Sequence, residues 1–242
     1  YTFFAATLSL VALFAVSSAP VPLFGLLQAK LSMRSSDLAM TAVSYFGGCI
    51  PALLFLSRLP NCLGRKVMVS VALAIGLVSA FLLANADAVI DVLLARFMQG
   101  MACGLASGSA MAWVFDAAPS HRRSLAAALS AGSPGMGFLF GALAGAVLNE
   151  LFGLPLQTIF YAVASLLALA LLAVLFGTET VNRNVGATFK ALIPAVEVPE
   201  RLRATYVLAV LAYAGTWGVG GFFQAYSAKI ATDRSEEHTS EL

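Results

Sequence analysis

The chain has 242 residues, of which 60% are hydrophobic and only 11% charged, a charged fraction well below that of an ordinary soluble domain. The formal net charge is +2, without a long basic tract, so nucleic acid binding has no support. The composition excludes a soluble globular domain and indicates a protein of the lipid bilayer.

Apolar runs separated by polar or charged segments predict membrane-spanning helices, since about 20 mostly apolar residues are needed to cross the hydrocarbon core. Helices are the only reasonable structure for such runs, because a helix satisfies its own backbone hydrogen bonds in lipid. The predicted spans are 3–27, 38–56, 67–85, 90–115, 124–148, 156–176 and 206–227.

Basic residues are concentrated in alternate loops, which predicts the orientation of the chain. The basic loops follow spans two, four and six, and their cations include Arg58, Arg65, Lys66, Arg122, Arg123, Lys190 and Arg203. We therefore expect these loops and the amino terminus to be cytoplasmic, in an integral protein of the bacterial inner membrane.

The loop between spans two and three carries a motif made of Ser57, Asn61, Cys62 and the group Gly64-Arg65-Lys66. It resembles the loop motif of the major facilitator superfamily, in which a glycine, an aspartate and an arginine precede a Gly-Arg-Lys group. The resemblance implies a cytoplasmic gate. The gate should be weaker here, because Asn61 replaces the aspartate and has no charge to offer a helix end. Simple anchoring by cytoplasmic cations is the alternative for Arg65 and Lys66.

The fourth span contains a single internal cation, Arg96, and four-residue spacing puts Gly100, Gly104 and Gly108 on the same helix face. Arg96, Gln99 and Gly100 resemble the fourth-helix motif of the same superfamily. The resemblance implies that Arg96 faces the cavity between two helix bundles and organises it or tunes a proton-carrying acid. The alternative is an arginine that snorkels to the membrane interface, above glycines that merely pack.

The segment after span four resembles the family's loop between helices four and five, with Asp116 at the helix end followed by Arg122 and Arg123. The arginines should face the cytoplasm. Asp116 is predicted to pair with one of them or with the 57–66 loop, and a solvated helix-end charge is the alternative.

Span five contains Gly137, Gly141 and Gly145 at four-residue spacing, which strips one helix face of side chains. This environment resembles the fifth-helix motif linked to antiporters, although Ala142 and Ala144 depart from it. The resemblance favours export, while generic helix packing explains the glycines equally well.

The residues that could carry out chemistry are few. Cys49, Cys62 and Cys103 are odd in number and scattered, so we expect free thiols. His121 and His238 have no nucleophile or metal-ligand arrangement near them in sequence. We expect no enzyme, no metal and no cofactor.

The resemblance predicts an all-α membrane protein of the major facilitator type. We expect a bundle of six helices, built from two inverted three-helix repeats, at 1–176, a cytoplasmic linker at 177–205, and the first helix of a second bundle at 206–231. Residues 234–242 resemble a translated sequencing adapter, so the tail 232–242 is expected to be non-native. The start at Tyr1, without a methionine, fits a fragment cut at both ends, and the seventh span after a charged linker predicts that the natural protein continues into a second bundle.

The predicted function is a fragment of a secondary active transporter that moves a small molecule by alternating access, with efflux as the favoured direction and protons as a candidate coupling ion. A sugar or organic-acid importer and a non-transporting truncated membrane protein are the alternatives. The predicted partners are a small-molecule substrate, the bilayer and the missing half.

Overall fold

The computed structural model describes residues 1–182, 186, 188–193, 200–216 and 218–219. Within these residues the regular structure is entirely helical. Six helical segments there are long and apolar enough to cross a membrane, namely Thr2–Leu31, Ser35–Leu56, Arg65–Ala84, Val89–Ala117, Ser120–Glu150 and Leu156–Leu175. They confirm the predicted all-α membrane fold, and each matches one of the first six predicted spans to within a few residues.

The first span is interrupted near its middle. It consists of α1 (Thr2–Ser18), a 3-10 turn at Val21–Leu23 and α2 (Phe24–Leu31). The break follows from Pro20, whose missing N–H removes one helical hydrogen bond. This span is the most enclosed of the six, with 72% of its apolar stretch buried, so it lies in the interior of the helix bundle.

The second span is also irregular. Helix α3 (Ser35–Pro51) begins where the Asp37 carboxylate accepts the backbone N–H of Arg34 at 2.8 Å. It ends at Pro51 and continues as a π-helical turn at Ala52–Leu56, a change that a proline commonly causes. The short helix α4 (Pro60–Leu63) then leads into the third span, α5 (Arg65–Ala84).

The remaining spans are α6 (Val89–Ala117), α7 (Arg123–Glu150) and α8 (Leu156–Leu175). Helix α6 occupies the centre, where it packs against α1, α3 and α5, while α1 also packs against α7 and α8. The central position explains why α6 buries polar side chains that a lipid-facing helix would not tolerate.

The chain divides into two compact units, Tyr1–Ile193 and Pro194–Leu242. The first includes α9 (Thr188–Ala191) and so extends beyond the predicted end of the bundle at residue 176. In the second, a 3-10 turn at Glu200–Leu202 precedes helical residues 203–216. Parts of the predicted seventh span and the whole predicted tail lie outside the described residues, namely residue 217 and residues 220–227 of the span and residues 232–242. The predicted domain boundaries stay predictions.

Candidate functional site

Arg96 lies about two turns inside α6 and is fully buried. Its Nη1 atom donates to the Ser17 carbonyl at 2.6 Å and to Gln99 Oε1 at 2.7 Å. The side chain therefore does not snorkel to the interface. The structure encloses Arg96 among helices of the one bundle that it describes, so its predicted place facing a cavity between two bundles and its role in coupling stay predictions.

The partners of Arg96 and Gln99 are two consecutive carbonyls near the end of α1. Gln99 Nε2 donates to the Val16 carbonyl at 3.1 Å, next to the Ser17 carbonyl that Arg96 binds. In a continuous helix the Val16 carbonyl would accept from residue 20, but Pro20 has no N–H. Ser17 lies among the last four helical residues, whose carbonyls have no partner inside the helix. Arg96 and Gln99 thus satisfy the acceptors that the break in the first span leaves open.

The guanidinium of Arg96 is surrounded by aromatic rings rather than by acids. Its central carbon lies 4.8 Å from the centroid of the Tyr45 ring and 5.7 Å from that of Phe24. No carboxylate of the described residues forms a salt bridge with it, and its Nε and Nη2 atoms have no hydrogen-bond partner there. Cation–π attraction offsets part of the desolvation cost of burying the guanidinium. The site is a buried cation held on the backbone of α1.

The glycines of α6 form a contact with the second span. A Cβ atom at Gly100 would collide with the Tyr45 carbonyl, and one at Gly104 would lie 2.7 Å from the Cys49 carbonyl. Gly108 lies against Ser57, where an added Cβ atom would be 3.2 Å from the Ser57 Cα. The face shared by the three glycines therefore lies against α3 and the turn after it, at backbone distance.

The glycines of α7 make an equivalent contact with the first span. A Cβ atom at Gly137 would meet the Phe14 Cβ at 2.6 Å, and one at Gly141 would collide with the Ala15 carbonyl. Gly145 lies against the Ala19 carbonyl, where its Cβ would be at 2.5 Å. The spacing therefore serves close packing, and its link to antiport stays a prediction.

A second polar cluster lies where α5 begins. Arg65 Nε forms a salt bridge with Asp116 Oδ2 at 2.6 Å, and Thr180 Oγ1 donates to the same oxygen at 3.2 Å. Of the pairings predicted for Asp116, the structure contains the one with the 57–66 loop. The Arg65 side chain is only 15% exposed, so this salt bridge is partly shielded from water.

Glu179 belongs to the same cluster and was not singled out by the sequence. Its Oε1 atom accepts the backbone N–H of Arg65 at 2.9 Å and that of Thr180 at 3.0 Å. Helix α5 starts after Gly64, which has no side chain to cap the helix and whose φ of 102° favours glycine. The Glu179 carboxylate, from the segment after α8, supplies the cap. Its negative charge also interacts favourably with the positive end of the helix dipole.

The other predicted gate residues are more peripheral. Asn61 lies exposed in α4, and Arg122 and Arg123 are exposed where α7 begins. Lys66 Nζ donates to the Leu175 carbonyl at 2.8 Å. Only Arg65 and Asp116 of the predicted gate set join in a salt bridge among the described residues, and a gating role for the set stays a prediction.

Asp116→Asn should lower the thermal stability of the 242-residue chain in detergent. We expect a loss of about 1 kcal/mol, the upper end of the range for exposed ion pairs, because the partly shielded Arg65 guanidinium would lose the negative charge of Asp116. Glu150→Gln removes one negative charge at an exposed position on α7 and is the control, with no expected change. The exchange Arg65→Asp with Asp116→Arg should recover part of the loss. Equal stability of Asp116→Asn and the control would show that the salt bridge contributes nothing.

Comparisons with known proteins agree with this architecture. The family model described as the Major Facilitator Superfamily matches residues 4–233. The crystal structure of the human organic anion transporter MFSD10 (TETRAN) is similar at 20% sequence identity with a TM-score of 0.56, over 83% of this chain. The chain spans 51% of the length of that transporter. No curated protein matches the chain significantly. Because the family model covers almost the whole sequence, the chain belongs to the major facilitator superfamily.

Proposed function

We propose that the chain is the amino-terminal half of a secondary active transporter, which exports a small molecule by alternating access together with a second six-helix bundle. Protons are the candidate coupling ion. The family, the six spans and the similarity to half of a larger transporter support transport as the general function.

The single observation that carries the proposal is the bond between Arg96 and the broken first span. Helices α1 and α6 belong to the first and fourth spans, which would begin the two predicted three-helix repeats. Arg96 and Gln99 join these helices at the Val16 and Ser17 carbonyls. A buried cation inside a membrane protein is costly, so a functional role is the first hypothesis for it. We infer that this contact holds the first span in a shape that the transport cycle needs.

Export rests on the resemblance of Gly137, Gly141 and Gly145 to the antiporter motif, and proton coupling requires an acid. The acids of the described spans lie near helix ends, such as Asp37, Asp91 and Asp116. A proton-carrying acid would therefore belong to the second half.

The proposal is tested by recovering the complete reading frame and reconstituting its product in liposomes. A panel of small molecules, with organic anions first because MFSD10 is described as an organic anion transporter, would be measured for flux with and without an imposed pH gradient. We expect flux of at least one compound against its gradient when the pH gradient drives export. Accumulation in the opposite direction would favour an importer, and absence of flux for the whole panel would contradict the proposal.

A further inference from the structure

An apolar groove of about 430 Å³ runs along the contact between α5 and α8. Its lining comes from two helices and comprises Lys66, Val67, Ser70, Val71 and Ala74 from α5 and Leu171 and Leu175 from α8. Small side chains at Ser70 and Ala74 leave room between the helices. Val71 and Leu175 are 42% and 54% exposed, so the groove is open to the surroundings of the bundle.

One end of the groove carries a cation. Lys66 Nζ donates to the Leu175 carbonyl at 2.8 Å, at the carboxyl-terminal end of α8. A lysine ammonium has three donors, and this bond uses one of them. No carboxylate of the described residues lies within salt-bridge distance of Lys66 Nζ.

Glu179, an acid at this end of α5, accepts hydrogen bonds from backbone N–H groups. Its Oε1 atom accepts the backbone N–H of Arg65 at 2.9 Å and, more weakly, that of Lys66 at 3.5 Å. The carboxylate thus serves the start of α5 rather than the Lys66 ammonium. A positive charge that has no acidic partner in the described part of the chain therefore borders an apolar groove on two membrane-spanning helices.

We propose that this groove binds one anionic phospholipid of the bilayer, with its phosphate at Lys66 and part of an acyl chain between α5 and α8. The charge of the lipid complements the ammonium, and the chain complements the apolar walls. A basic residue at the edge of a groove between transmembrane helices favours an anionic headgroup over a zwitterionic one, by about 1 kcal/mol for each cation near the surface, which corresponds to about fivefold in affinity. This site is separate from the Arg96 cluster and does not depend on the direction or substrate of transport.

Native mass spectrometry of the 242-residue chain in detergent tests the proposal, with phosphatidylglycerol and phosphatidylcholine of identical acyl chains as probes. We expect the first bound phosphatidylglycerol to be retained about fivefold better than phosphatidylcholine. Lys66→Gln should abolish this preference, whereas Arg34→Gln, at an exposed position before α3, should keep it. Equal retention of both lipids by the wild type, or an unchanged preference in Lys66→Gln, would overturn the proposal.

Two further arms separate the groove from the charge. Val71→Trp should fill the groove and lower retention of both lipids, whereas Val78→Trp, at an exposed position of α5 outside the groove, should not. Because Val71→Trp leaves Lys66 in place, it tests the site even if Lys66→Gln folds poorly. Excess inorganic phosphate should not displace the lipid, and displacement would overturn the lipid in favour of a phosphate site. Equal retention by the two tryptophan variants would show that the lipid does not occupy the groove.

Discussion

Gly48→Ala should strongly destabilise the six-helix unit, whereas Gly47→Ala at the preceding position should leave it folded. Gly48 is buried in α3 against α6, and a Cβ atom there would collide with the Phe97 carbonyl and lie 2.9 Å from the Met101 nitrogen. Both obstacles are backbone atoms, so the two helices have to move apart. Gly47 is exposed, and nothing lies within 4 Å of the position of its Cβ.

The two variants make the same glycine-to-alanine change at adjacent positions. Alanine raises helix propensity by about 1 kcal/mol over glycine, so Gly47→Ala should be neutral or slightly stabilising. Gly48→Ala gains the same propensity, but its overpacking cost should exceed the usual range of about 1–3 kcal/mol, because both obstacles are backbone atoms and the two helices have to separate.

The experiment measures the folded, monodisperse fraction in detergent and its thermal unfolding midpoint for the wild type and both variants. Gly100→Ala, whose Cβ would collide with the Tyr45 carbonyl from the other side of the same interface, should behave like Gly48→Ala. Equal midpoints for Gly47→Ala and Gly48→Ala would contradict the close backbone contact between α3 and α6.

The glycine contacts show which part of the packing a sequence can predict. Four-residue spacing identifies Gly100, Gly104 and Gly108 as one smooth face, because the helix period is fixed. Spacing does not identify the helix that the face meets, since that depends on tertiary packing. Gly48 is not part of a series of glycines at four-residue spacing, and nothing in the sequence distinguishes it from Gly47. In the structure, a Cβ atom at Gly48 would collide with α6, whereas one at Gly47 would have open space.

The polar sites show the same division. Arg96 stands out in the sequence because a lone cation in an apolar span is costly. The sequence does not show that Arg96 contacts α1. Pro20 indicates only that the Val16 carbonyl needs a donor from outside its own helix, because proline has no N–H. Glu179 was missed because it lies in a segment interpreted as a linker. The signal that could have found it is Gly64 before α5, since a helix start without a capping side chain needs an acceptor from another segment.

Arg96→Ala in the complete transporter should lower transport about tenfold or more while the protein still inserts in the membrane. The substitution removes the donor from the Ser17 carbonyl and the partner of Gln99 Oε1, so of the two carbonyls at the break only that of Val16 keeps a side-chain donor from α6. A tenfold loss of rate corresponds to about 1.4 kcal/mol, which is within the usual cost of an unsatisfied buried acceptor.

Folding should suffer less than transport, because two effects on stability oppose each other. Leaving buried acceptors without donors costs about 1–3 kcal/mol, whereas removing a buried cation that has no carboxylate partner among the described residues relieves a desolvation penalty. Arg34→Ala removes the same charge at an exposed position and is the matched control, for which transport and insertion should equal those of the wild type.

Arg96→Lys distinguishes the cation from the shape of its donor group. A lysine keeps the charge, but it is a compact point charge on a different stem and lacks the planar guanidinium that lies near the Tyr45 ring and whose Nη1 atom reaches both Ser17 and Gln99. We expect its transport rate to lie between those of the wild type and Arg96→Ala, with the rates measured in liposomes at matched protein content. Wild-type transport by Arg96→Ala would reduce Arg96 to a packing residue, because the tie between α1 and α6 would then have no part in the transport cycle.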